Sequence, residues 1–473
     1  MKVLFIEPPK DVWFVMGEYL PPPYGIIQLA AYLESEVKDA EIEILDCNAQ
    51  QVDWPKMDER IEASDPDVVA ASSLATCNTY VVARTLETAK KTNPKILTVT
   101  GGQHFSATAQ NSLEEYPEID VIVRGEGEQT LAELVKNASK KSAFTGINGI
   151  SFRHRGKIVH NPSRPLIEDL ESLPYPGYHL VKDLVNKYHF AAMAGRDLPY
   201  QLVEGSRGCM HECSFCTQWR HWEGKWRVKS PNRIADEMEF CYRRFGGRFL
   251  WLTDDNLGAG NRAKMLADEI SARNMPNLEW FVQARCDDIV RNKDSLPKLR
   301  DSGLRWVLLG VENSEQSTLK DFKKGISPED AKKAVKLLKK NDIFAHTMFI
   351  IGNRKDTHSS IANMRRFMNE LDPDFVIFAI LTPFPGTDVY EVAKRNGWIK
   401  DTNWANYDMV HAIMPTETLS TREVQEELYQ CYQSFYGSWD RRLRGIFARN
   451  EIKRRIFRYM ARRGIIQQLK SLF

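Results

Sequence analysis

Short apolar runs and helix-length stretches take turns along nearly all of the chain, which commits it to βαβ units and parallel sheets. In the first part, strand-like runs at 3–6, 41–45, 67–71, 95–100 and 121–123 are separated by helical patterns, clearest at 24–33 and 80–91. Residues 1–138 therefore read as an open, doubly wound α/β unit with helices on both faces. Ligands of such sheets sit beyond the carboxyl ends of the strands. The residues at those ends are Ser72-Ser73-Leu74, Gly101-Gly102 and Arg124-Gly125-Glu126-Gly127-Glu128. Glycine at such places lets the backbone approach a bulky ligand closely, and it equally serves a plain turn.

The rhythm breaks over residues 139–195, where a hairpin-like stretch at 149–160 precedes Leu173-Pro174-Tyr175-Pro176-Gly177, and this part reads as a connector. A second series then begins. Strands are predicted at 201–204, 249–253, 279–284, 306–311, 345–351 and 375–381, with helices at 234–242, 262–272, 328–339 and 359–370. Six such units point to a partial (β/α)6 TIM barrel over residues 196–415, with its working face at the strand carboxyl ends. From residue 416 to 473 the chain reads as helical. From Ser438 onward it carries eleven Lys/Arg against Asp440 and Glu451, with Leu443, Ile446, Ile452, Ile456, Met460 and Leu469 interspersed. That composition suits an anionic membrane or an acidic partner, and also a solvated helix packed on its own protein.

Bulk properties narrow the function classes. A net charge of +2 over 473 residues supplies no general attraction to nucleic acid, and none is expected as a partner. No run of about 18 apolar residues occurs, so no spanning helix is expected. The opening MKVLFIEPP lacks the basic-then-apolar layout of a signal peptide. The expected location is cytoplasmic, with peripheral membrane contact through the basic tail. Of eight cysteines only Cys209, Cys213 and Cys216 cluster, which in a reducing compartment signals metal binding or catalysis rather than cross-linking.

The decisive stretch is Glu204-Gly-Ser-Arg-Gly-Cys209-Met-His-Glu-Cys213-Ser-Phe-Cys216, just beyond a predicted strand. Thiolates suit iron–sulfur clusters, and a cubane normally takes four. Three within eight residues, with no fourth nearby, would leave one iron open to a substrate or cofactor. Zinc is the rival, since it accepts Cys3His sites and His211 lies inside the loop, although zinc motifs usually come as two separated pairs.

The pattern Cys-x3-Cys-x2-Cys, with an aromatic before the last cysteine, resembles the signature loop of the radical S-adenosylmethionine superfamily. The resemblance implies that Cys209, Cys213 and Cys216 ligate a [4Fe–4S] cluster and that Phe215 lies beside it. It further implies that the open iron chelates S-adenosylmethionine, which one electron cleaves to a 5′-deoxyadenosyl radical. Cofactor contacts are then expected at later strand ends, namely Asp254 and Asp255 toward the amino group, Gln283 and Arg285 toward carboxylate or ribose, Glu312 toward ribose or amino group, and the Gly352 backbone toward adenine. Aspartates at strand ends also serve as helix N-caps. Leu381-Thr382-Pro383-Phe384-Pro385-Gly386-Thr387 resembles the closing turn of this subfamily.

A doubly wound unit ahead of such a barrel resembles the cobalamin-binding module of the class B enzymes, and Leu20-Pro-Pro-Pro-Tyr-Gly25 extends the likeness. It implies a cobalamin pocket formed by Ser72, Ser73, Leu74, Gly101, Gly102, Gly125 and Glu126. The Asp-x-His-x-x-Gly motif that gives many cobalamin proteins a cobalt ligand is absent, Asp46-Cys47-Asn48 standing after the second strand. The implied reaction is methyl transfer from methylcobalamin to an unactivated carbon. The alternative is the oxidative ring formation or hydroxylation of the anaerobic magnesium-protoporphyrin monomethyl ester cyclase, and a non-catalytic cobalamin carrier is the third reading. The expected partners are a small-molecule, lipid or tetrapyrrole substrate and an electron donor of flavodoxin or ferredoxin type. Trp219, Trp222, Trp226, Phe384, Trp398 and Trp404 either line a large apolar pocket or pack the core and loops.

Overall fold

The structure, a computed structural model, describes residues 1–10, 18–72, 75–194 and 198–463. It divides into two compact units. The first contains Leu20–Lys187 with the N-terminal strand and the short stretch Phe384–Gly386. The second contains Tyr188–Pro383 and the chain from Thr387.

In the first unit, the strands Lys2–Glu7, Glu41–Asp46, Val68–Ala71, Leu97–Gly101 and Val121–Val123 form a parallel sheet in the order second, first, third, fourth, fifth. Val3 pairs with Ile42 on one side and Val68 on the other. Val3 to Ile6 form a continuous apolar run because both faces of this central strand are covered, and each is at most 1% exposed. The hairpin expected in the connector, Ile150–His154 with Lys157–His160, extends the same sheet as an antiparallel edge. The strand order reverses at the first strand, so the sheet has a switch-point crevice at its carboxyl end.

In the second unit, Tyr200–Val203, Phe249–Leu252, Glu279–Arg285, Leu304–Glu312, Phe344–Ile351 and Phe375–Ile380 form a parallel sheet in sequential order. Among the described residues its first and last strands do not pair, so the barrel is partial. The amino-terminal half of this sheet is an aromatic layer. Phe281 stacks on Phe249 at 5.4 Å and lies 6.2 Å from Trp306, which meets Phe344 at 4.4 Å. Trp280 and Trp306 are fully buried. Apolar bulk at this end leaves the carboxyl end to polar and charged groups.

An open sheet must protect its last edge. Helix Thr421–Tyr436, begun by a Ser420–Glu423 capping box, does so with two tyrosines four residues apart. The Tyr432 hydroxyl accepts from Phe378 N at 3.3 Å and donates to Phe378 O at 2.8 Å. Tyr436 does the same for Val376, at 3.2 and 2.7 Å. Each hydroxyl thus completes one residue of the edge strand. Burial pushes both phenols up in pKa, so they remain protonated donors. Tyr432→Phe or Tyr436→Phe leaves a buried N–H and C=O unsatisfied, and each is expected to cost about 1–3 kcal/mol in urea unfolding. A loss below a few tenths would show that water replaces the hydroxyl.

Candidate active site

The loop after the first barrel strand is fixed at both ends. At its start, the backbone N–H groups of Gly205 and Ser206 donate to Asp254 Oδ1 at 2.7 and 2.9 Å. Asp254 ends the second strand, is fully buried, and has Arg262 at 3.5 Å to balance its charge. Glu204 turns out of the first strand to accept from Arg207 Nε, 3.0 Å from each carboxylate oxygen. Gly208 has φ +86°, and a Cβ there would stand 2.1 Å from Lys225 O, so only glycine fits the turn before Cys209. At the far end, Cys213 O accepts from Cys216 N at 3.0 Å and from Trp219 Nε1 at 3.1 Å. Ser214 N donates to Phe322 O at 3.0 Å, and Phe215 meets Phe322 edge-on at 5.2 Å.

The three cysteines are free thiols, Cys213 buried and the other two half-buried. Burial raises the pKa of all three, that of Cys216 to about 12, while Lys324 pulls Cys213 the other way. Burial thus disfavours the thiolates, and a bound metal would be needed to offset that cost. Among the described residues, no three His, Cys, Asp or Glu side chains converge as they would around a single metal ion, the three cysteines included. Three thiols on one loop are donors of the kind that an iron–sulfur cluster would take.

The later strand ends form a charged, mostly buried rim. Asn256 accepts from Arg285 N at 3.2 Å and donates to Asp288 at 2.6 Å, tying the second strand end to the third. Arg285 is buried against Asp287 at 3.0 Å, and Gln283 is half-buried with its carbonyl on Leu257 N. Asp255 is half-buried, its pKa pushed to about 7 by burial and by the charges of Asp254 and Glu204. At the fourth strand end, Glu312 has φ +64°, a costly conformation for a side-chain-bearing residue, and the register to the next strand shifts there. Its carboxylate bonds Lys324 Nζ at 2.7 Å, both side chains being under a tenth exposed. Burial works against the Lys324 charge, but Glu312 and Cys213 outweigh it and hold the ammonium above its usual range. A Cβ on Gly310 would stand 2.4 Å from Glu312 Oε1 and 2.6 Å from Lys324 Nζ, so the ion pair rests on bare backbone.

Comparison with known proteins gives this arrangement a context. The B12 binding domain family matches residues 15–135, and the Radical SAM superfamily matches residues 203–368. An uncharacterized methyltransferase of Pyrococcus horikoshii is 31% identical over 444 residues, covering 92% of each chain. The anaerobic magnesium-protoporphyrin IX monomethyl ester cyclase of Rubrivivax gelatinosus is 30% identical over 445 residues, covering 92% of this chain and 77% of that one. The chain belongs to the cobalamin-dependent radical S-adenosylmethionine family. The fold agrees: the methyltransferase TsrM from Kitasatospora setae, solved with cobalamin and a [4Fe-4S] cluster, superposes with TM-score 0.70 at 18% identity, covering 92% of this chain and 88% of that one.

Within this family framework, the structure gives several predicted residues work among themselves. Asp254 Oδ1 accepts from the loop backbone at Gly205 and Ser206, while its other oxygen faces Arg262 at 3.5 Å. Gly352 has φ +78°, and a Cβ there would stand 3.1 Å from Val424 and 3.4 Å from Ile380. Trp219 donates to the cluster loop, Trp226 lies over Gly258, and Trp398 packs beside Phe322, Ile350 and Leu381 under Arg354. Lys324 was not singled out from the sequence. It stands next to Lys323, which pairs with Asp388 at 2.9 Å on the surface, and no local pattern separates the two.

In the B12-binding unit, Ser73 and Leu74 lie outside the described residues, and Ser72 is half-buried at the end of its strand. Gly101 is accounted for by the sheet, since a Cβ would meet Val123 O at 2.8 Å. Gly102 and Gly125 have φ of +93° and +73°, and Gly125 faces open space where a Cβ would be. Buried Glu126 accepts from Ile167 N at 2.6 Å. A cavity of about 630 Å³ also opens in this unit, lined partly by Cys47, Asn48, Trp54, Tyr80 and Arg84. None of the described residues predicted for cobalamin lines it.

Two outcomes follow from these charges. Asp255 binds its proton more tightly folded than unfolded, so its contribution to stability is present below the ordinary carboxylate range and is lost as pH rises towards about 7. Thermal melts without cofactors should show Asp255→Asn gaining on the parent from about pH 4 to 7; a constant difference would mean an ordinary carboxylate. Lys324→Met strands a buried carboxylate and is expected to cost about 3–5 kcal/mol, with Glu312→Gln recovering much of it in the double variant. Additive losses in denaturant titrations would contradict the pairing.

Proposed function

We propose that this chain transfers a methyl group to an unactivated carbon of an apolar small molecule, of lipid or tetrapyrrole class. The observation that carries the reading is the likeness to the Pyrococcus methyltransferase along 92% of both chains. In this family the reduced cluster supplies the electron that cleaves S-adenosylmethionine, and cobalamin supplies the methyl group. Cys209, Cys213 and Cys216 hold the cluster, and Phe215 screens it, packed on Phe322. Asp255 receives the cofactor's ammonium, because a carboxylate crowded by Asp254 and Glu204 gains most from a cation. Asp254 contributes by setting the loop. Arg285 and Gln283 face the carboxylate or ribose, Glu312 is oriented toward the ribose or amino group by Lys324, and the Gly352 backbone meets adenine. Ser72, Ser73, Leu74, Gly101, Gly102, Gly125 and Glu126 cradle cobalamin.

The proposed bounds are 1–138 for the cobalamin domain, 139–195 for the connector, 196–415 for the barrel and 416–473 for the helical basic region. An electron donor of flavodoxin or ferredoxin class, and a membrane surface met through the basic region, complete the proposal as partners. The 30% identity with the Rubrivivax cyclase favours a second reading, oxidative ring formation on a tetrapyrrole. Anaerobic turnover with candidate lipids and porphyrins separates the two. Methyl transfer yields S-adenosylhomocysteine together with 5′-deoxyadenosine and carries label from the cofactor's methyl group into product. Deoxyadenosine with an oxidised, unlabelled product overturns methyl transfer in favour of the cyclase reading.

A further inference from the structure

The helix Trp439–Ile446 is packed inside out. Its inward face carries Arg441 and Gly445, both buried. Arg441 lies over the Phe435 ring at 4.1 Å and bonds Asp372 at 2.7 Å. Gly445 lets the helix close on Phe457, whose ring would stand 2.2 Å from a Cβ. The large apolar residues point the other way. Trp439 and Phe447 are 74% exposed and Leu443 is 54% exposed. Spaced by four, and with Phe447 N still bonded to Leu443 O at 3.2 Å, they form one outward stripe. Scattered exposed apolar residues need no explanation, but a stripe of Trp, Leu and Phe on one face does.

The surroundings identify what covers it. Ser438–Arg463 carries ten Lys/Arg against Asp440 and Glu451, while the whole chain has a net charge of only +2. Arg449, Arg458 and Arg462 are exposed, the last two on the next helix, Glu451–Arg463, from which Arg458 Nε donates to Ile446 O at 3.2 Å. Arg442 lies 5.1 Å from the Trp439 ring centroid. Trp, Leu and Phe in front of an arginine-rich surround match the boundary of an anionic bilayer, where rings enter the headgroup region and guanidinium groups meet phosphate. No described helix is long and apolar enough to cross a membrane, so the contact lies on the surface.

We propose that Trp439, Leu443 and Phe447, with Arg449 and Arg458, dock this enzyme on the surface of an anionic membrane. This deepens the membrane contact proposed for the basic region and rests on that reading, but it does not depend on which reaction the barrel performs.

Holoenzyme is tested by co-sedimentation with phosphatidylglycerol–phosphatidylcholine vesicles and with phosphatidylcholine alone. The expected result is binding to the anionic vesicles that weakens with salt, reduced about tenfold or more in the variant Trp439→Ser/Leu443→Ser/Phe447→Ser and also reduced in Arg449→Glu/Arg458→Glu. Both variants alter exposed side chains, and 5′-deoxyadenosine formation in buffer should match the parent, which separates loss of docking from loss of the reaction. Unchanged vesicle binding in the triple variant overturns the assignment. So does a parent that ignores vesicles but self-associates in sedimentation velocity while the triple variant stays monomeric, since the stripe would then join two copies of the chain.

Discussion

A single buried carboxylate determines where the cysteine loop can be. Asp254 ends a barrel strand and takes the N–H groups of Gly205 and Ser206, the first two residues of the loop after Glu204. Two backbone hydrogen bonds to one carboxyl oxygen in a water-poor site are directional; burial raises the Asp254 pKa, and Arg262 and these two donors pull it back. With Gly208 turning the chain and Ser214 tied to Phe322, little freedom remains between Cys209 and Cys216. A cluster with only three protein ligands relies on that rigidity, because its fourth position must stay open.

The rim around the loop stores charge that water does not reach. Glu312 and Lys324 form a buried pair seated on Gly310, and Glu312 adopts a left-handed backbone to reach it. Pairs of this kind seldom add stability over an apolar substitute of similar volume. Here the ammonium lies close enough to Cys213 to lower its pKa, and close enough to Arg285 for the two cations to repel. Buried charge is thus gathered at the carboxyl end of the barrel, while the aromatic layer around Trp306 supplies the cohesion at the other end.

What could be read from the sequence was what is local in it. Three cysteines at fixed spacing lie in one loop, and apolar runs such as Val3–Ile6 announce buried parallel strands before any contact is known. Asp254 was legible as a carboxylate just beyond a strand, but its bonds to the loop backbone were not, since such a group suits a cofactor amine and a backbone N–H equally well. Lys324 was invisible because its value comes from a fold that brings it beside Cys213, twelve residues after its partner Glu312. The hairpin Ile150–His154 with Lys157–His160 was seen, but not its place on the edge of the front sheet. In the C-terminal region the interspersed apolar residues suited either a membrane surface or packing on the protein itself, and Ile452 and Ile456 are indeed buried. In the helix before them Arg441 and Gly445 take the inner face, and only the packing reveals that Trp439, Leu443 and Phe447 look outward.

The account stands on three thiolates leaving a metal centre with a free position. Its most direct test is Mössbauer and electron paramagnetic resonance spectroscopy of anaerobically reconstituted protein, before and after addition of S-adenosylmethionine. A four-iron cube whose signal shifts on addition, and which is lost when any one of Cys209, Cys213 or Cys216 is replaced by alanine, is the predicted result. Zinc in the loop, or a cube whose signal ignores S-adenosylmethionine, would contradict it.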